Sequence, residues 1–317
     1  METVELRPMS LGELLDRTFT LYRNHFWVFV GIMTIPSAFA VPMNLYLFLR
    51  QGSPLAFRNP RAQAAVFSLG YLGFLILFWL VYSLAIGAVT HAVAEAYLGR
   101  QPTVRSSYSR VRQRFWGLLG LILNIGLRVF GILAGVIFVA AVGGGAAGGA
   151  IAAASGNQAV MGIAILGIIL FAFVAGGGLA IYLALRYAVS IPAFLFENLG
   201  VLAAVRRSGQ LTKGRRGHIF LAALLAAIIA DVGVLVFQGP FYLGALLTAR
   251  NGNWPPWLNF MAAAAGAVGA AITGSILLIV LVLCYYDTRI RKEAFDLQFM
   301  MASLDSPPPA AAAVSPT

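Results

Sequence analysis

The sequence predicts an all-α polytopic membrane protein, with about six transmembrane helices in three hairpins and amphipathic helices at the membrane interface. Three observations support this prediction. About 60% of the residues are apolar and only 10% are charged, far less charge than a soluble domain carries. Apolar runs long enough to cross a hydrocarbon core of ~30 Å as helices recur along the chain. These runs do not alternate apolar and polar residues, as barrel strands would.

We expect a single transmembrane domain over residues 1–302, followed by a tail. Residues 303–317 are mainly Pro and Ala, so the tail is predicted to be disordered. The polar residues 50–63 are predicted to form a loop, and the Gly/Ala-rich residues 143–158 either a loop or a loosely helical link. The six predicted spans cover residues 26–48, 64–97, 115–142, 160–196, 219–247 and 260–285.

A short amphipathic helix is predicted before the first span. Ser10 followed by Glu13 is typical of a capping box at a helix start. Leu11, Leu14 and Leu15 begin an apolar pattern with helical spacing, and charged residues occupy the other positions. The segment is too short to cross a bilayer, so we expect it to lie in the membrane interface.

Three basic corners repeat along the chain. The stretch Gly99–Trp116 holds no acid and ends in Arg-Gln-Arg-Phe-Trp, and residues 23–27 share its Arg-x-x-Phe-Trp pattern. Residues 213–220 keep the basic cluster with a single aromatic residue. We interpret the corners as three copies of an amphipathic helix plus a hairpin, although any hairpin with basic corners would produce a similar pattern. Each even-numbered span also ends near an acid, and these corner acids are Glu95, Glu197 and Asp287.

The distribution of basic residues predicts the topology. Of the 22 Lys and Arg residues, sixteen lie on the side of the predicted N-terminus, four lie on the opposite side, and Arg128 and Arg186 lie inside spans. Because Lys and Arg are enriched in cytoplasmic loops, we expect a multi-pass protein of the bacterial inner (plasma) membrane with both termini in the cytoplasm. The net charge of +11 then reflects topology, and nucleic-acid binding is not expected.

Two charged residues are predicted at similar depth inside the membrane. Arg128 lies about 13 residues into the third span and Asp231 about 13 residues past His218. A lone charge in hydrocarbon is costly, so such residues normally pair or line a polar pathway. We expect an Arg128–Asp231 ion pair that locks spans three and five together. Its alternative role is part of a polar path that also includes Arg186.

The expected partners are membrane lipids, with anionic headgroups held by the arginines of the corners. A homo-oligomer or a membrane partner protein would suit the same surfaces and the small-residue stretch at residues 131–135. The arginines predicted to contact headgroups or a partner are Arg23, Arg110, Arg112, Arg114, Arg186, Arg206, Arg207, Arg215 and Arg216.

An enzyme is not predicted, because no Gly-rich phosphate loop, zinc-protease helix motif or serine elbow occurs in the sequence. His91 and Glu95 share a helix face, but a metal site needs three or four ligands, so no metal and no cofactor is expected. Cys284 is the single cysteine, which excludes a disulfide within one chain.

Three stretches resemble an uncharacterised family of bacterial integral membrane proteins. They are residues 6–26, residues 197–216 with Ala-Val-Arg-Arg-Ser and Lys-Gly-Arg-Arg, and residues 285–297 with Tyr-Tyr-Asp-Thr-Arg-Ile-Arg-Lys-Glu. The family is similar to the membrane domain fused to some glycerophosphoryl diester phosphodiesterases. In those proteins a separate soluble domain carries the phosphodiesterase chemistry. The resemblance therefore implies no such activity for this chain and provides no catalytic residues.

The favoured function is that of a non-enzymatic scaffold, or of a module that interacts with lipids or a partner, in the bacterial inner membrane. The alternative is a transporter or lipid permease with a polar path near Arg128, Asp231 and Arg186. A continuous polar cavity between the spans would favour transport, whereas a sealed bundle packed through Gly and Ala would favour the scaffold.

Overall fold

The chain folds as a bundle of helices in a computed structural model, which describes residues 8–52, 60–155, 158–248 and 255–293. All regular secondary structure in those ranges is helical, and six segments are long and apolar enough to cross a membrane. The predicted all-α polytopic class is therefore confirmed. The tail predicted at 303–317 and the middle of the segment 50–63 lie outside the described residues.

Eleven helices occupy the described ranges. They are α1 (Leu11–Asn24), α2 (Phe26–Gly52), α3 (Pro60–Tyr97), α4 (Val104–Arg112), α5 (Phe115–Ser155), α6 (Gln158–Tyr187), α7 (Ser190–Phe196), α8 (Val201–Thr212), α9 (Arg216–Thr248), α10 (Pro256–Thr273) and α11 (Ile276–Glu293). The first hairpin is α2–α3, the second is α5–α6, and the third is α9 with α10 and α11. The short helices α1, α4 and α8 each precede one hairpin.

The third span is longer than predicted. Helix α5 continues to Ser155, so most of the segment predicted as a loop or loosely helical link is regular helix. That segment consists almost entirely of small apolar residues without charge. A helix satisfies their backbone N–H and C=O groups internally, which apolar surroundings require, so the helix continues where glycine alone would favour a loop.

Two of the predicted spans are each divided into two helices. The fourth ends as α6 at Tyr187 and resumes as α7 at Ser190, near Pro192, which cannot donate a helical hydrogen bond. The sixth divides at Gly274, where an added Cβ would lie 2.7 Å from the Met33 side chain of α2. The first break has a local cause in the sequence, Pro192. The second was not predicted, because the close approach of α2 is a tertiary contact.

The first and third hairpins form one packed core. Helix α10 packs against both α9 and α2. Its approach to α9 depends on Gly269, where an added Cβ would lie 2.9 Å from the Cα of Val234. One turn further, the hydroxyl of Thr273 donates a hydrogen bond to the carbonyl of Ala230 (3.0 Å). Small residues permit this close helix packing in the absence of a hydrophobic driving force.

The second hairpin stands apart from this core over much of its length. Helices α5 and α6 pack chiefly against each other. Their outward side chains are open, with Leu127 at 81% and Phe171 at 75% exposure. The hairpin meets the rest of the bundle through α3, α7, α8 and α9. In a bilayer its exposed apolar surface faces lipid or another protein.

One end of the bundle, here termed the basic end, carries α1, α4, α8 and the last turns of α11. Trp27 and Trp116 are exposed at this end, where tryptophan suits the membrane interface. Helix α1 begins with the predicted capping box between Ser10 and Glu13. Its Leu14 is fully buried in the core, so α1 is fastened to the bundle by its apolar face.

Candidate anion-binding cleft at the basic end

The carboxylate of Asp287 connects three parts of the basic end. It is 1% exposed and accepts hydrogen bonds from the backbone N–H of Met9 (2.8 Å), from Arg215 (3.2 Å) and from Arg291 (3.0 Å). Arg291 also donates to the carbonyl of Met9 (2.8 Å). These four residues are termed the Asp287 cluster. Because a buried carboxylate needs such partners to replace water, the cluster has a structural role.

A second cluster surrounds Glu197 at the end of α7. Its carboxylate accepts hydrogen bonds from Arg207 of α8 (2.7 Å) and from the hydroxyl of Tyr285 of α11 (3.0 Å). Arg207 also pairs with Glu293, and Arg289 pairs with Glu293 (3.2 Å). These five residues are termed the Glu197 cluster. Their alternating charges join α7 and α8 to the end of α11.

We expect Glu197→Gln to lower the free energy of unfolding by about 1.5 kcal/mol, because it weakens two hydrogen bonds to a charged acceptor. Tyr285→Phe removes one of those bonds and should cost less. The double variant should then lose less than the sum of the two single losses, because both changes affect the same contact. Chemical unfolding in detergent micelles measures the three values, and strictly additive losses would contradict the shared contact.

An open cleft of about 480 Å³ lies beside these clusters and is termed the arginine cleft. It is formed where the end of α3, α4, the turn between α4 and α5, α7 and α11 meet. Among the described residues, its lining holds four arginines and one acid. The polar lining consists of His91, Glu95, Arg100, Arg110, Gln113, Arg114, Tyr286 and Arg289.

Two of the four arginines are engaged within the chain, and two are not. Arg114 donates to the carbonyl of Phe194 (2.9 Å) and lies over its ring at 4.9 Å. Arg289 belongs to the Glu197 cluster. The side chains of Arg100 and Arg110 are exposed and form no ion pair with another described residue. The cleft therefore presents two exposed guanidinium groups that pair with no described acid, and its lining also holds the carboxylate of Glu95.

Two contacts lie beside the cleft, one within α3 and one between α4 and α2. On α3, a nitrogen of His91 lies 3.8 Å from the carboxylate of Glu95, as their spacing predicts. On α4, the hydroxyl of Tyr108 donates to the carbonyl of Ile32 (2.9 Å). Burial raises the pKa of Tyr108 to about 12, so this phenol remains a neutral donor. No group of three or more His, Cys, Asp or Glu within the described ranges could hold a metal ion.

The arginines predicted to contact headgroups or a partner fall into different surroundings. Arg207 pairs with Glu197 and Arg215 pairs with Asp287, so both arginines are engaged with corner acids of the same chain. Arg216 lies over the ring of Tyr182 at 4.6 Å. Arg114 is engaged with Phe194 at the wall of the cleft. The exposed members of the set are Arg23, Arg110, Arg112, Arg186 and Arg206.

The ion pair predicted between Arg128 and Asp231 does not form in the structure. The guanidinium of Arg128 lies over the ring of Tyr187 at 5.9 Å, and Asp231 is exposed on α9. The prediction compared depths along two helices, which leaves the direction of each side chain undetermined. Arg186, the third residue of the predicted polar path, lies beside α8, where its carbonyl accepts a hydrogen bond from Ser208 (2.9 Å).

Sequence reasoning missed Arg100, Tyr285 and Arg289 as site residues. Arg100 and Arg289 could have been singled out from the sequence, because Arg100 follows shortly after the corner acid Glu95 and Arg289 after Asp287. Tyr285 begins one of the stretches that carry the family resemblance, but an aromatic residue at the end of an apolar span is also typical of any membrane helix. Its contact with the Glu197 cluster depends on how α11 packs against α7.

The fold and its charge pattern define a multi-pass α-helical integral membrane protein. Within that class, residues 157–288 match the family described as the membrane domain of glycerophosphoryl diester phosphodiesterase. The resemblance is confirmed over that range, which contains both Glu197 and Asp287, and no catalytic domain is matched. Comparisons with curated proteins and with solved structures found no match.

Proposed function

We propose that this protein is a non-enzymatic module of the bacterial inner membrane, with both termini in the cytoplasm, that holds anionic lipid headgroups at its basic end. The observation that carries the proposal is the arginine cleft, in which Arg100 and Arg110 are exposed and unpaired within the described chain. A phosphate with its negative oxygens is a suitable partner for two such guanidinium groups.

The position of the cleft supports a lipid as the source of that phosphate. Arg114 at its wall is followed two residues later by Trp116, whose side chain is 79% exposed. Tryptophan is enriched at the level of the headgroups, so the cleft lies at the depth where lipid phosphates occur. The cytoplasmic leaflet is rich in anionic lipids, which attract basic segments close to its surface.

The proposal is tested by comparing two double variants of the same corner. The cleft variant, Arg100→Gln with Arg110→Gln, removes two positive charges from the lining of the cleft. The control variant, Arg105→Gln with Arg112→Gln, removes two exposed positive charges that lie outside the lining. A direct hydrogen bond between charged groups contributes about 1.5 kcal/mol, so the loss of two should weaken phosphatidylglycerol binding by the cleft variant roughly 100-fold.

Native mass spectrometry with titrated phosphatidylglycerol measures both variants against the unaltered protein. The control variant should change the affinity by less than about threefold, because its arginines act only through the general surface field. Equal losses in the two variants would show that the corner attracts lipid without a defined cleft. Unchanged binding in both would reject headgroup binding at this corner.

No single observation on the described residues favours the alternative function of a transporter or lipid permease. Asp231 lies on an open face of α9, whereas Arg186 packs beside α8. Arg128 lies against Tyr187. The guanidinium of Arg186 lies over the same ring at 5.9 Å, so these two arginines are neighbours. Asp231 lies with residues of α9 alone, so the three residues named for a polar path do not share one lining in the described part of the chain.

A further inference from the structure

Asp231 lies on a face of α9 that no other described helix covers. Together with Ile228, Val232 and Leu235 it lines a shallow concavity of about 430 Å³, and all the lining residues belong to α9. These four residues are termed the Asp231 face. The Asp231 carboxylate forms no side-chain hydrogen bond or ion pair with a described residue. A carboxylate at this depth in hydrocarbon is costly, so the face requires a polar or cationic cover.

The second hairpin provides the complementary charge at the same depth. Asp231 lies 11 residues past Phe220, and Arg128 lies 12 residues past Trp116. At 1.5 Å per residue, both lie roughly 17 Å beyond the interfacial aromatic residues. Arg128 contacts an aromatic ring but no carboxylate among the described residues. The α5 surface around it is open, with Leu127 at 81% exposure.

We propose that a second copy of this chain covers the Asp231 face with its α5–α6 hairpin, so that Arg128 of each copy pairs with Asp231 of the other. A two-fold axis along the membrane normal keeps every residue at its own depth. Such an axis can therefore join two residues only if their depths match, as these do. It also makes the contact occur twice, which closes the dimer.

The exposed glycines of α5 suit this contact. An added Cβ at Gly131 or Gly135 would meet nothing within 4 Å in the single chain. Both lie one to two turns beyond Arg128. They lower the surface of α5 so that the backbone of a neighbouring helix can approach closely. Within one chain α5 packs on α6, so a second copy brings the two charges together without separating any packed pair of helices.

The test is reciprocal charge exchange, with dimers counted by single-molecule photobleaching of protein in liposomes. The unaltered protein should be dimeric. Arg128→Asp alone and Asp231→Arg alone should each weaken association at least tenfold, because each places like charges opposite one another. The variant carrying both changes should restore the dimer. Asp16→Arg, which makes the same charge change at an exposed site on α1, should leave association unchanged.

A cross-link keeps the proposal testable if a charge variant does not fold. Cys284 is buried, so a Cys284→Ser background permits Leu127→Cys and Val232→Cys on separately tagged copies. Oxidation should link the two tags. A monomeric unaltered protein, an absent cross-link, or an unrestored double variant that is folded would overturn the proposal. A lipid or a different protein on the Asp231 face would appear as the first two of these results.

Discussion

Asp287→Ala is expected to lower the free energy of unfolding by about 3 kcal/mol, the lower end of the cost of removing one partner from a buried ion pair. The change removes the acceptor for the Met9 N–H and for two guanidinium groups at once. Arg215 and Arg291 are partly exposed and recover some hydration. The Met9 N–H is buried, so water does not replace the lost acceptor.

Unfolding of the purified protein by SDS, followed by circular dichroism, measures this loss. Asp16→Ala is the matched control, since Asp16 is an exposed acid on α1 at the same end. It should change the unfolding free energy by less than about 0.5 kcal/mol. If the two variants were equally stable, the Asp287 cluster would be incidental to the fold.

Gly269→Leu is expected to cost about 3 kcal/mol, the upper part of the range for overpacking a tight contact. A side chain at this position meets the backbone of Val234 at 2.9 Å. Backbone cannot rotate away as a flexible side chain can, so α9 and α10 must separate. That separation would also stretch the bond from Thr273 to the carbonyl of Ala230.

Gly131→Leu is the matched control for this helix contact, because an added Cβ there meets nothing within 4 Å of the same chain. The reactivity of the buried Cys284 thiol during heating reports unfolding in both variants. The control should melt close to the unaltered protein when measured as detergent-solubilised monomers. A Gly269→Leu variant that melted no earlier than this control would show that α9 and α10 are not held at backbone contact.

The features that depend on composition and on local spacing could be predicted from the sequence. The apolar runs indicated six spans, and Ser10 with Glu13 indicated the start of α1, because a capping box involves residues only three apart. The acids at the end of the even spans could be singled out by position. Their partners could not, since Arg215 is 72 residues from Asp287 and Tyr285 is 88 residues from Glu197.

The features that depend on rotation about a helix axis could not be predicted. Depth along a span follows from counting residues, but the direction of a side chain depends on which neighbouring helix is packed where. Arg128 and Asp231 illustrate this difference, since they match in depth and remain apart within the chain. The contact of Gly274 with the Met33 side chain has the same origin, because it depends on how α2 packs against the last span.

The contact between Met9 and Arg291 joins positions 282 residues apart. Helix α11 therefore supplies the partners of the N-terminal segment, and it also contributes Tyr286 and Arg289 to the arginine cleft. During synthesis on the ribosome, five spans enter the membrane before these residues emerge. Contacts over such separations form late and slowly. A nascent chain consequently places its three positive corners at the membrane surface early, but it acquires the cleft only when its last span arrives.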